Sequence, residues 1–369
     1  MPALSLLIKP ASSLCNLRCT YCFYQDVAAN RETPSYGVMT PETLETVVDR
    51  ALSFATGSCT FAFQGGEPTL AGLDFFRRFE ALLAERTPKT LSISRALQTN
   101  GLLVDEEWAA FLAQHHYLVG LSLDGPSDLH DARRPDAQGK GTFARTLAAA
   151  NRLRKAGAAF NILSVVDSQV ARRATKAYAF FRKQGLPYLQ FIPCLDDFGA
   201  AGPPRLTPER WAAFLKTTFD LWYEDVTQGR PVSIRLFDNL LEMLAGYPPE
   251  SCGMSGRCAC QFVVEANGDV FPCDFYVTDA YRLGNLREHT IPELRQSPAA
   301  QRFIQESLPL PDACRACPWY ALCRGGCRRY REPFVDGQPG RYQLCQAYLD
   351  FFPYAVPRLR ALAQQLPRR

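Results

Sequence analysis

The sequence lacks the apolar run of about 18 residues that a membrane-spanning helix requires. It also lacks the basic segment of a signal peptide, and Lys9-Pro10 ends its short N-terminal apolar stretch early. The formal charge of +4 is too small and too scattered to indicate nucleic-acid binding. No repeat or low-complexity tract is evident. With 47% hydrophobic and 21% charged residues, the composition predicts a soluble globular protein, and its many cysteines without a secretion signal indicate the cytoplasm.

Cysteine, in contrast, is abundant: the 369-residue chain has fourteen. In a protein without a secretion signal, so many thiols indicate metal or redox chemistry rather than a disulfide scaffold. Three of them lie close together near the N-terminus, and nine lie between residues 252 and 345. A chain of this length also exceeds what one hydrophobic core usually sustains, so we expect at least two domains.

From Leu4 to about Pro193, short β-rich runs alternate with longer amphipathic segments, which is typical of βα repetition. The predicted strands are Leu4–Ile8, Thr60–Gln64, Leu91–Leu97, Leu118–Leu123, Phe160–Val166 and Tyr188–Ile192. The predicted helices lie near 41–54, 72–85, 105–114, 142–156 and 172–184. This α/β alternation fits a partial barrel, but a doubly wound open sheet would show the same rhythm.

Composition and spacing divide the chain into four parts. We expect an α/β domain over residues 1–205, a helical linker over 206–249, a cysteine-rich domain over 250–350 and a C-terminal helix over 351–369. Within the linker, Thr207 and Pro208 form a helix start, with Thr207 as the N-cap.

Three thiols, Cys15, Cys19 and Cys22, follow the first predicted strand with the spacing C-x3-C-x2-C. A four-iron, four-sulfur cluster normally takes four thiolates, so three ligands leave one iron open. A structural zinc loop is the alternative, but zinc favours a closed set of four ligands. The next strand leads into Gly65-Gly66-Glu67-Pro68, where backbone without side chains can approach a ligand.

Together, the three-cysteine loop with an aromatic residue before its last Cys and the GGEP turn resemble radical S-adenosylmethionine (SAM) enzymes. The resemblance implies a partial (β/α)6 barrel in which SAM chelates the open iron and is cleaved to a 5'-deoxyadenosyl radical. It implies SAM contacts from Tyr21, Gly65, Gly66, Glu67, Ser122, Arg134 and Leu195.

The C-terminal cysteines include a C-x2-C-x5-C-x3-C run from Cys314 to Cys327, which on its own could be a zinc ribbon. The whole arrangement resembles the SPASM domain, which binds two auxiliary four-iron, four-sulfur clusters. By that resemblance, auxiliary cluster I is held by Cys252, Cys258, Cys273 and Cys327. Auxiliary cluster II is held by Cys314, Cys317, Cys323 and Cys345. No role is predicted for Cys59, Cys194 and Cys260.

The longest similarity is to anaerobic sulfatase-maturating enzymes, in stretches such as Leu4–Ser13, Phe61–Gly72 and Cys260–Glu265. These enzymes oxidise a Cys or Ser in the C/S-x-P-x-R motif of an unfolded sulfatase to Cα-formylglycine. The resemblance implies that Asp274 accepts the thiol or hydroxyl proton, and that Gln64 and Tyr24 lie near the reacting side chain. An auxiliary cluster would carry away the remaining electron.

This resemblance also implies partners: the unfolded sulfatase polypeptide as substrate and a flavodoxin- or ferredoxin-type electron donor, with the enzyme itself a monomer. Preference for Cys or Ser stays open. A second interpretation is a radical SAM/SPASM peptide maturase that makes thioether or carbon-carbon crosslinks. A third is a non-catalytic iron-sulfur or zinc module, which leaves a three-thiol site beside GGEP unexplained.

Overall fold

The structure is a computed structural model that describes residues 3–335 and 338–365. Its strands are β1 (Leu4–Ile8), β2 (Ser58–Phe63), β3 (Ser92–Thr99), β4 (Tyr117–Ser122), β5 (Ala159–Val166), β6 (Tyr188–Pro193), β7 (Ser233–Ile234), β8 (Val263–Val264), β9 (Asp269–Phe271), β10 (Gly284–Asn285), β11 (Phe334–Val335) and β12 (Gln338–Pro339).

The α-helices are α1 (Phe23–Ala29), α2 (Pro41–Phe54), α3 (Leu73–Arg86), α4 (Glu106–Gln114), α5 (Ser127–Asp131), α6 (Phe143–Ala156), α7 (Ser168–Ala171), α8 (Ala174–Lys183), α9 (Pro208–Thr227), α10 (Arg235–Leu244), α11 (Ile291–Gln296), α12 (Pro298–Gln305), α13 (Asp312–Arg315), α14 (Tyr320–Cys323) and α15 (Cys345–Ala363). Short 3-10 helices include Pro68–Ala71 and Asp274–Tyr276. Within the described residues, none of the helices has the length and apolar character needed to cross a membrane.

The chain forms two compact units. The first comprises the described residues up to Leu123 together with Asp131–Phe160 and Ala259–Phe303. The second comprises Asp124–His130, Asn161–Cys258 and the described residues from Ile304 onward. The cysteine-rich region expected over residues 250–350 therefore contributes to both units.

The first unit is built on a sheet in which β1, β2, β3 and β4 are parallel neighbours in chain order. On the other side of β1, β8 pairs in parallel, and β9 and β10 continue the sheet antiparallel. A doubly wound sheet reverses its strand order near the first strand, whereas β1 to β4 do not. Barrel-type winding therefore describes this unit.

Helix α2 shows how the sequence places the covering layer of the first unit. Thr40 caps its N-terminus by accepting a hydrogen bond from the Thr43 amide, and Pro41 occupies the first helical position. The buried side chains Leu44, Val47 and Ala51 recur at the spacing of one helical face. The apolar stripe thus fixes which side of α2 is buried.

The second unit contains the parallel neighbours β5, β6 and β7 and the long helices α9 and α15. Thr207 caps α9 by accepting from the Arg210 amide at 3.3 Å, so the predicted helix start is confirmed. The rings of Phe219 on α9 and Phe351 on α15 lie 5.7 Å apart, edge to face. Trp211 and Trp222 of α9 are likewise buried in this core.

Two predicted boundaries differ from the structure. Residues 206–249 belong to the packed core of the second unit through α9 and α10, so they are not a linker. The C-terminal helix begins at Cys345 rather than at 351, and residues 366–369 lie outside the described chain. This helix continues through Pro353 and Pro357, because burial of its apolar face stabilises it by more than the loss of the hydrogen bonds that the two prolines cannot donate.

Candidate active site

The three-thiol loop connects β1 to α1 in the first unit. The Leu17 backbone bridges to Asp136, and the Arg18 amide donates to the Pro135 carbonyl at 2.8 Å, so the loop is fixed to a neighbouring segment. All three thiols are half-buried. The pKa of the Cys15 thiol is raised to about 12, chiefly by burial and to a smaller extent by the charges of Glu67, Cys19 and Cys22. The thiols are thus near enough to repel one another as thiolates, and a cationic metal core would relieve that repulsion.

The GGEP turn follows β2 in a left-handed conformation, with φ of +94° at Gly65 and +52° at Gly66. A side chain at Gly66 would overlap the Leu14 carbonyl of the three-thiol loop. The Glu67 amide donates to that same carbonyl at 2.7 Å. Turn and loop are therefore in direct contact, and glycine is required where they meet.

Glu67 is buried at the ends of β2 and β3. Its Oε1 accepts from the hydroxyls of Thr69 at 2.6 Å and Thr99 at 2.7 Å, and its Oε2 accepts from the Asn100 amide at 2.8 Å. Burial raises the pKa of this carboxyl, and the hydrogen bonds oppose that effect. Glu67 thus joins two strand ends, a role that sequence analysis did not assign. Its contact with SAM stays a prediction.

Ser122 and Arg134 are both buried in the first unit. The Ser122 hydroxyl accepts from the Gln98 amide at 3.1 Å. The Arg134 guanidinium lies 5.3 Å from the ring centroid of Tyr21, and its Nη1 lies 4.0 Å from the Cys19 sulfur. The structure therefore brings Tyr21 and Arg134 together beside a cluster thiol. Leu195 belongs to the second unit, where it is buried after β6 and its carbonyl accepts from Arg205 at 3.1 Å.

Asp274 opens the 3-10 helix that follows Cys273 and is buried in the first unit. Its Oδ2 accepts from the Tyr24 hydroxyl at 2.5 Å and from the Gln64 amide at 3.1 Å. The Gln64 amide also donates to the Tyr24 hydroxyl at 2.7 Å. The other carboxylate oxygen of Asp274, Oδ1, is buried without a hydrogen-bond partner among the described residues. The structure thus joins the three residues predicted for the reacting centre.

The electrostatics of this group differ from those of a solvated carboxyl. Burial raises the pKa of Asp274, while the charge of Lys9 and the hydrogen bond from Tyr24 oppose that rise. Burial also raises the pKa of Tyr24 well above its usual value, so the phenol is the donor in this pair. The rings of Phe23 and Phe275 pack edge to face at 4.8 Å, which holds the start of α1 against the Asp274 helix.

Four C-terminal thiols lie close together in the second unit. The pKa of Cys323 is raised to about 11, chiefly by burial and to a smaller extent by the charges of Cys345, Cys314 and Cys317. Another group contains Cys327. Its pKa is raised to about 12, chiefly by burial, with smaller effects from the charges of Cys252 and Cys258. Cys273 belongs to the first unit and starts the Asp274 helix. These groups match seven of the eight predicted auxiliary ligands, but their metal-binding role stays a prediction.

All fourteen cysteines are free thiols, including the buried Cys59 and Cys194. In the part of the chain that the structure describes, no three His, Cys, Asp or Glu side chains converge as the ligands of one ion do. Thiolates of an iron-sulfur cluster bind separate irons and need no such convergence.

Sequence analysis missed a buried ionic group of Lys9, Arg31 and Glu265. Glu265 Oε1 lies 2.9 Å from the Lys9 ammonium and 2.6 Å from the Arg31 guanidinium. All three residues are almost completely buried. The sequence signal was a lysine directly after an apolar strand, which we had interpreted only as the end of that strand.

Comparison with known protein families agrees with this geometry. The family model for the radical SAM superfamily matches residues 10–167, and the model for the SPASM iron-sulfur cluster-binding domain matches residues 252–318. Fold and site thus define a radical SAM protein with a C-terminal SPASM domain, which confirms the predicted fold class.

Full-length relatives define the family more narrowly. The cysteine-type anaerobic sulfatase-maturating enzyme of Clostridium perfringens (strain 13 / Type A) is 49% identical, covering 99% of this chain and 100% of the relative. The serine-type enzyme of Bacteroides thetaiotaomicron is 32% identical over 98% of this chain and 92% of the relative. A solved structure of native anSMEcpe with bound AdoMet and Cp18Cys peptide matches with a TM-score of 0.94 and 48% identity, covering 99% of this chain and 100% of that one. This chain belongs to the anaerobic sulfatase-maturating enzymes, as its sequence predicted.

Proposed function

We propose that this chain oxidises a cysteine side chain in the C-x-P-x-R motif of an unfolded sulfatase to Cα-formylglycine. The cysteine-type relatives are 45% to 49% identical, whereas the serine-type relatives reach 31% to 32%, which supports cysteine as the substrate residue. The observation that carries the proposal is the Asp274 carboxylate, with one oxygen held by Tyr24 and Gln64 and the other buried without a partner among the described residues.

The cofactors of this enzyme are SAM and three four-iron, four-sulfur clusters, and the donor groups of the chain fit them. We assign Cys15, Cys19 and Cys22 to the cluster that leaves one iron open for SAM. We assign SAM contacts to the residues predicted from the sequence, namely Tyr21, Gly65, Gly66, Glu67, Ser122, Arg134 and Leu195. When bound, the cluster and SAM supply an acceptor for a hydrogen atom from the substrate Cβ.

The SPASM cysteines fit two further clusters. We assign Cys314, Cys317, Cys323 and Cys345 to one of them, because the charges of Cys345 and Cys317 add to burial in raising the pKa of both Cys314 and Cys323 in the second unit. The other takes Cys252, Cys258, Cys273 and Cys327. When bound, these clusters supply a reservoir for the electron that the substrate loses.

The chain's own contribution to the chemistry is proton transfer. Oxidation of the CH2-SH group to a thioaldehyde removes one hydrogen atom from Cβ, one proton from sulfur and one electron. Asp274 Oδ1 accepts the thiol proton, while Tyr24 and Gln64 hold Oδ2 by hydrogen bonds. Water then replaces sulfur, which leaves as hydrogen sulfide, and the aldehyde remains.

Partners, cellular location and oligomeric state complete the proposal. The sulfatase polypeptide is the protein substrate, and a flavodoxin- or ferredoxin-type protein supplies the electron for SAM cleavage. We place the enzyme in the cytoplasm because its fourteen free thiols suit a reducing compartment. We expect the enzyme to act as a monomer.

The decisive experiment incubates the reduced, reconstituted protein with SAM and two peptides that differ only in Cys or Ser. Mass spectrometry should show the aldehyde from the Cys peptide in larger yield than from the Ser peptide. A product that loses two hydrogens but keeps its sulfur would instead indicate a crosslinking maturase. No deoxyadenosine and no product would indicate a non-catalytic module.

A further inference from the structure

Lys9 is a buried cation at the end of β1, only 1% exposed. Lysine is rarely so buried unless its charge is paired. Its amide donates to the Val264 carbonyl at 2.8 Å, which extends the pairing of β1 with β8 by one residue. This register places Lys9 beside Glu265, whose Oε1 lies 2.9 Å from the ammonium.

Glu265 also binds Arg31, at 2.6 Å, so two buried cations share one carboxylate. Either cation alone would neutralise Glu265. The two cations differ in their other contacts, and that difference suggests a separate role for Lys9.

Lys9 contacts the reacting centre in two ways. Its ammonium lies 5.1 Å from the ring centroid of Tyr24, within cation-π range. Its hydrocarbon stem fills the space next to Gly65, where an added Cβ would lie 2.7 Å from Lys9 Cγ and 3.0 Å from Lys9 Cδ. One side chain thus touches both the GGEP turn and the tyrosine that donates to Asp274.

The other contacts of Arg31 differ from those of Lys9. Its guanidinium faces the Tyr36 ring at 5.6 Å and donates to the Pro34 carbonyl at 2.6 Å. Among the described residues, no hydrogen bond joins Tyr36 to Asp274. Arg31 is therefore a matched control, since it has the same charge and the same carboxylate partner.

We propose that Lys9 is a positioning residue that fixes the Tyr24 ring relative to the Gly65 turn and so aligns Asp274 with the reacting thiol. This inference rests on the proposed function. The ammonium acts through the face of Tyr24, and the stem supports the turn.

The test compares Lys9→Met, which keeps most of the stem but removes the charge, with Arg31→Met in the reconstituted enzyme. Each variant leaves Glu265 with one cation. We expect Lys9→Met to lower the formylglycine formed per deoxyadenosine by about 3- to 30-fold, the range of a buried cation-π contact. Arg31→Met should keep the wild-type ratio. Equal ratios in the two variants would overturn the inference.

Two measurements that need no turnover accompany this ratio. In fluorotyrosine-labelled protein, the 19F resonance of Tyr24, assigned with Tyr24→Phe, should move in Lys9→Met and stay in place in Arg31→Met. The SAM dissociation constant, measured by equilibrium dialysis without reductant, should rise in Lys9→Ala, which removes the stem, and stay near wild type in Lys9→Met. An unmoved resonance in Lys9→Met would contradict the contact with Tyr24.

If Lys9→Met fails to take up iron, Lys9→Gln replaces it, because its amide can still donate to Glu265 without a charge over Tyr24. A wild-type ratio in Lys9→Gln would also overturn the inference. Wild-type enzyme that makes no formylglycine would refute the proposed function itself. That outcome is distinct from an unchanged ratio of formylglycine to deoxyadenosine in the Lys9 variants.

Discussion

Glu265 and Asp274 are buried carboxylates nine residues apart in the same unit, yet their surroundings are opposite. Burial alone would raise the pKa of Glu265, but the charges of Lys9 and Arg31 outweigh it and hold the pKa below its usual value. Asp274 forms no salt bridge within the described residues, and burial raises its pKa. One oxygen of Asp274 also has no hydrogen-bond partner in that part of the chain.

These opposite surroundings distinguish a carboxylate that stabilises the fold from one that is available for chemistry. A buried ion pair whose charges are satisfied has no capacity left for a substrate. A buried oxygen without a partner costs stability, so its retention indicates a function that offsets the cost. We accordingly interpret Glu265 as structural, and the surroundings of Asp274 support the proposal that it accepts a proton.

The largest expected effect comes from Asp274→Asn. This change removes the proton acceptor but keeps the shape of the side chain, so formylglycine formation should fall by about 10²- to 10⁴-fold. Iron content and SAM binding should persist, and the thermal midpoint should stay near wild type. Quantifying aldehyde, iron and bound SAM in the same sample checks this prediction. The same loss with missing iron would show only a damaged cluster site.

The isosteric change Glu265→Gln should lower the thermal midpoint, which Asp274→Asn leaves near wild type. It leaves two buried cations facing a neutral amide, and breaking such a group costs about 3–5 kcal/mol. The thermal midpoint, measured anaerobically with intact iron, should therefore fall well below that of Asp274→Asn, which is the matched control. Equal midpoints for the two variants would break the comparison on which the assignment rests.

Tyr24→Phe tests the hydrogen bond that holds Asp274 within the reacting centre. It removes the donor 2.5 Å from Asp274 Oδ2, and a hydrogen bond to a charged group is worth about 1.5–3 kcal/mol. Formylglycine turnover should therefore decrease by about 10- to 100-fold. Tyr36→Phe, beside Arg31, should leave turnover unchanged. A similar decrease in both variants would indicate a general packing effect.

Asp238 provides the smallest expected effect and tests whether a raised pKa alone marks function. Burial raises its pKa from 3.8 to about 6, although Ser233 donates to it at 2.5 Å. Because the folded pKa is the higher one, stability is lost as pH rises between about 4 and 6. Asp238→Asn should thus raise stability at pH 7 by about 1 kcal/mol, allowing for partial exposure, without changing activity. Denaturation curves at pH 4 and pH 7 would show this, and a gain at pH 4 alone would contradict it.

Local patterns predicted the fold well where elements are long. The first strand has the predicted bounds, and α2 and α6 differ from their predicted ranges by at most one residue at an end. The strands β8, β9 and β10 were missed because two or three residues carry no periodic signal. Their pairing depends on distant partners, as when β8 joins β1.

The site also has parts that the sequence predicted and parts that it did not. The motifs identified the three-thiol loop and the GGEP turn, and family resemblance pointed to Asp274. The Lys9 and Glu265 pair was not predictable, because its members are far apart in sequence and the family-like stretches in which they lie carry no signal that the two side chains meet. The structural role of Glu67 also required the fold, since its donors come from the end of β3.

The most direct test uses a substrate peptide deuterated at Cβ of its cysteine, with wild-type enzyme and Asp274→Asn compared side by side. We expect deuterium in the deoxyadenosine from both enzymes, because hydrogen-atom removal does not need the carboxylate. Aldehyde should form in quantity only with the wild type. Near-normal aldehyde from Asp274→Asn, at full iron content, would contradict the assignment of Asp274 as the proton acceptor.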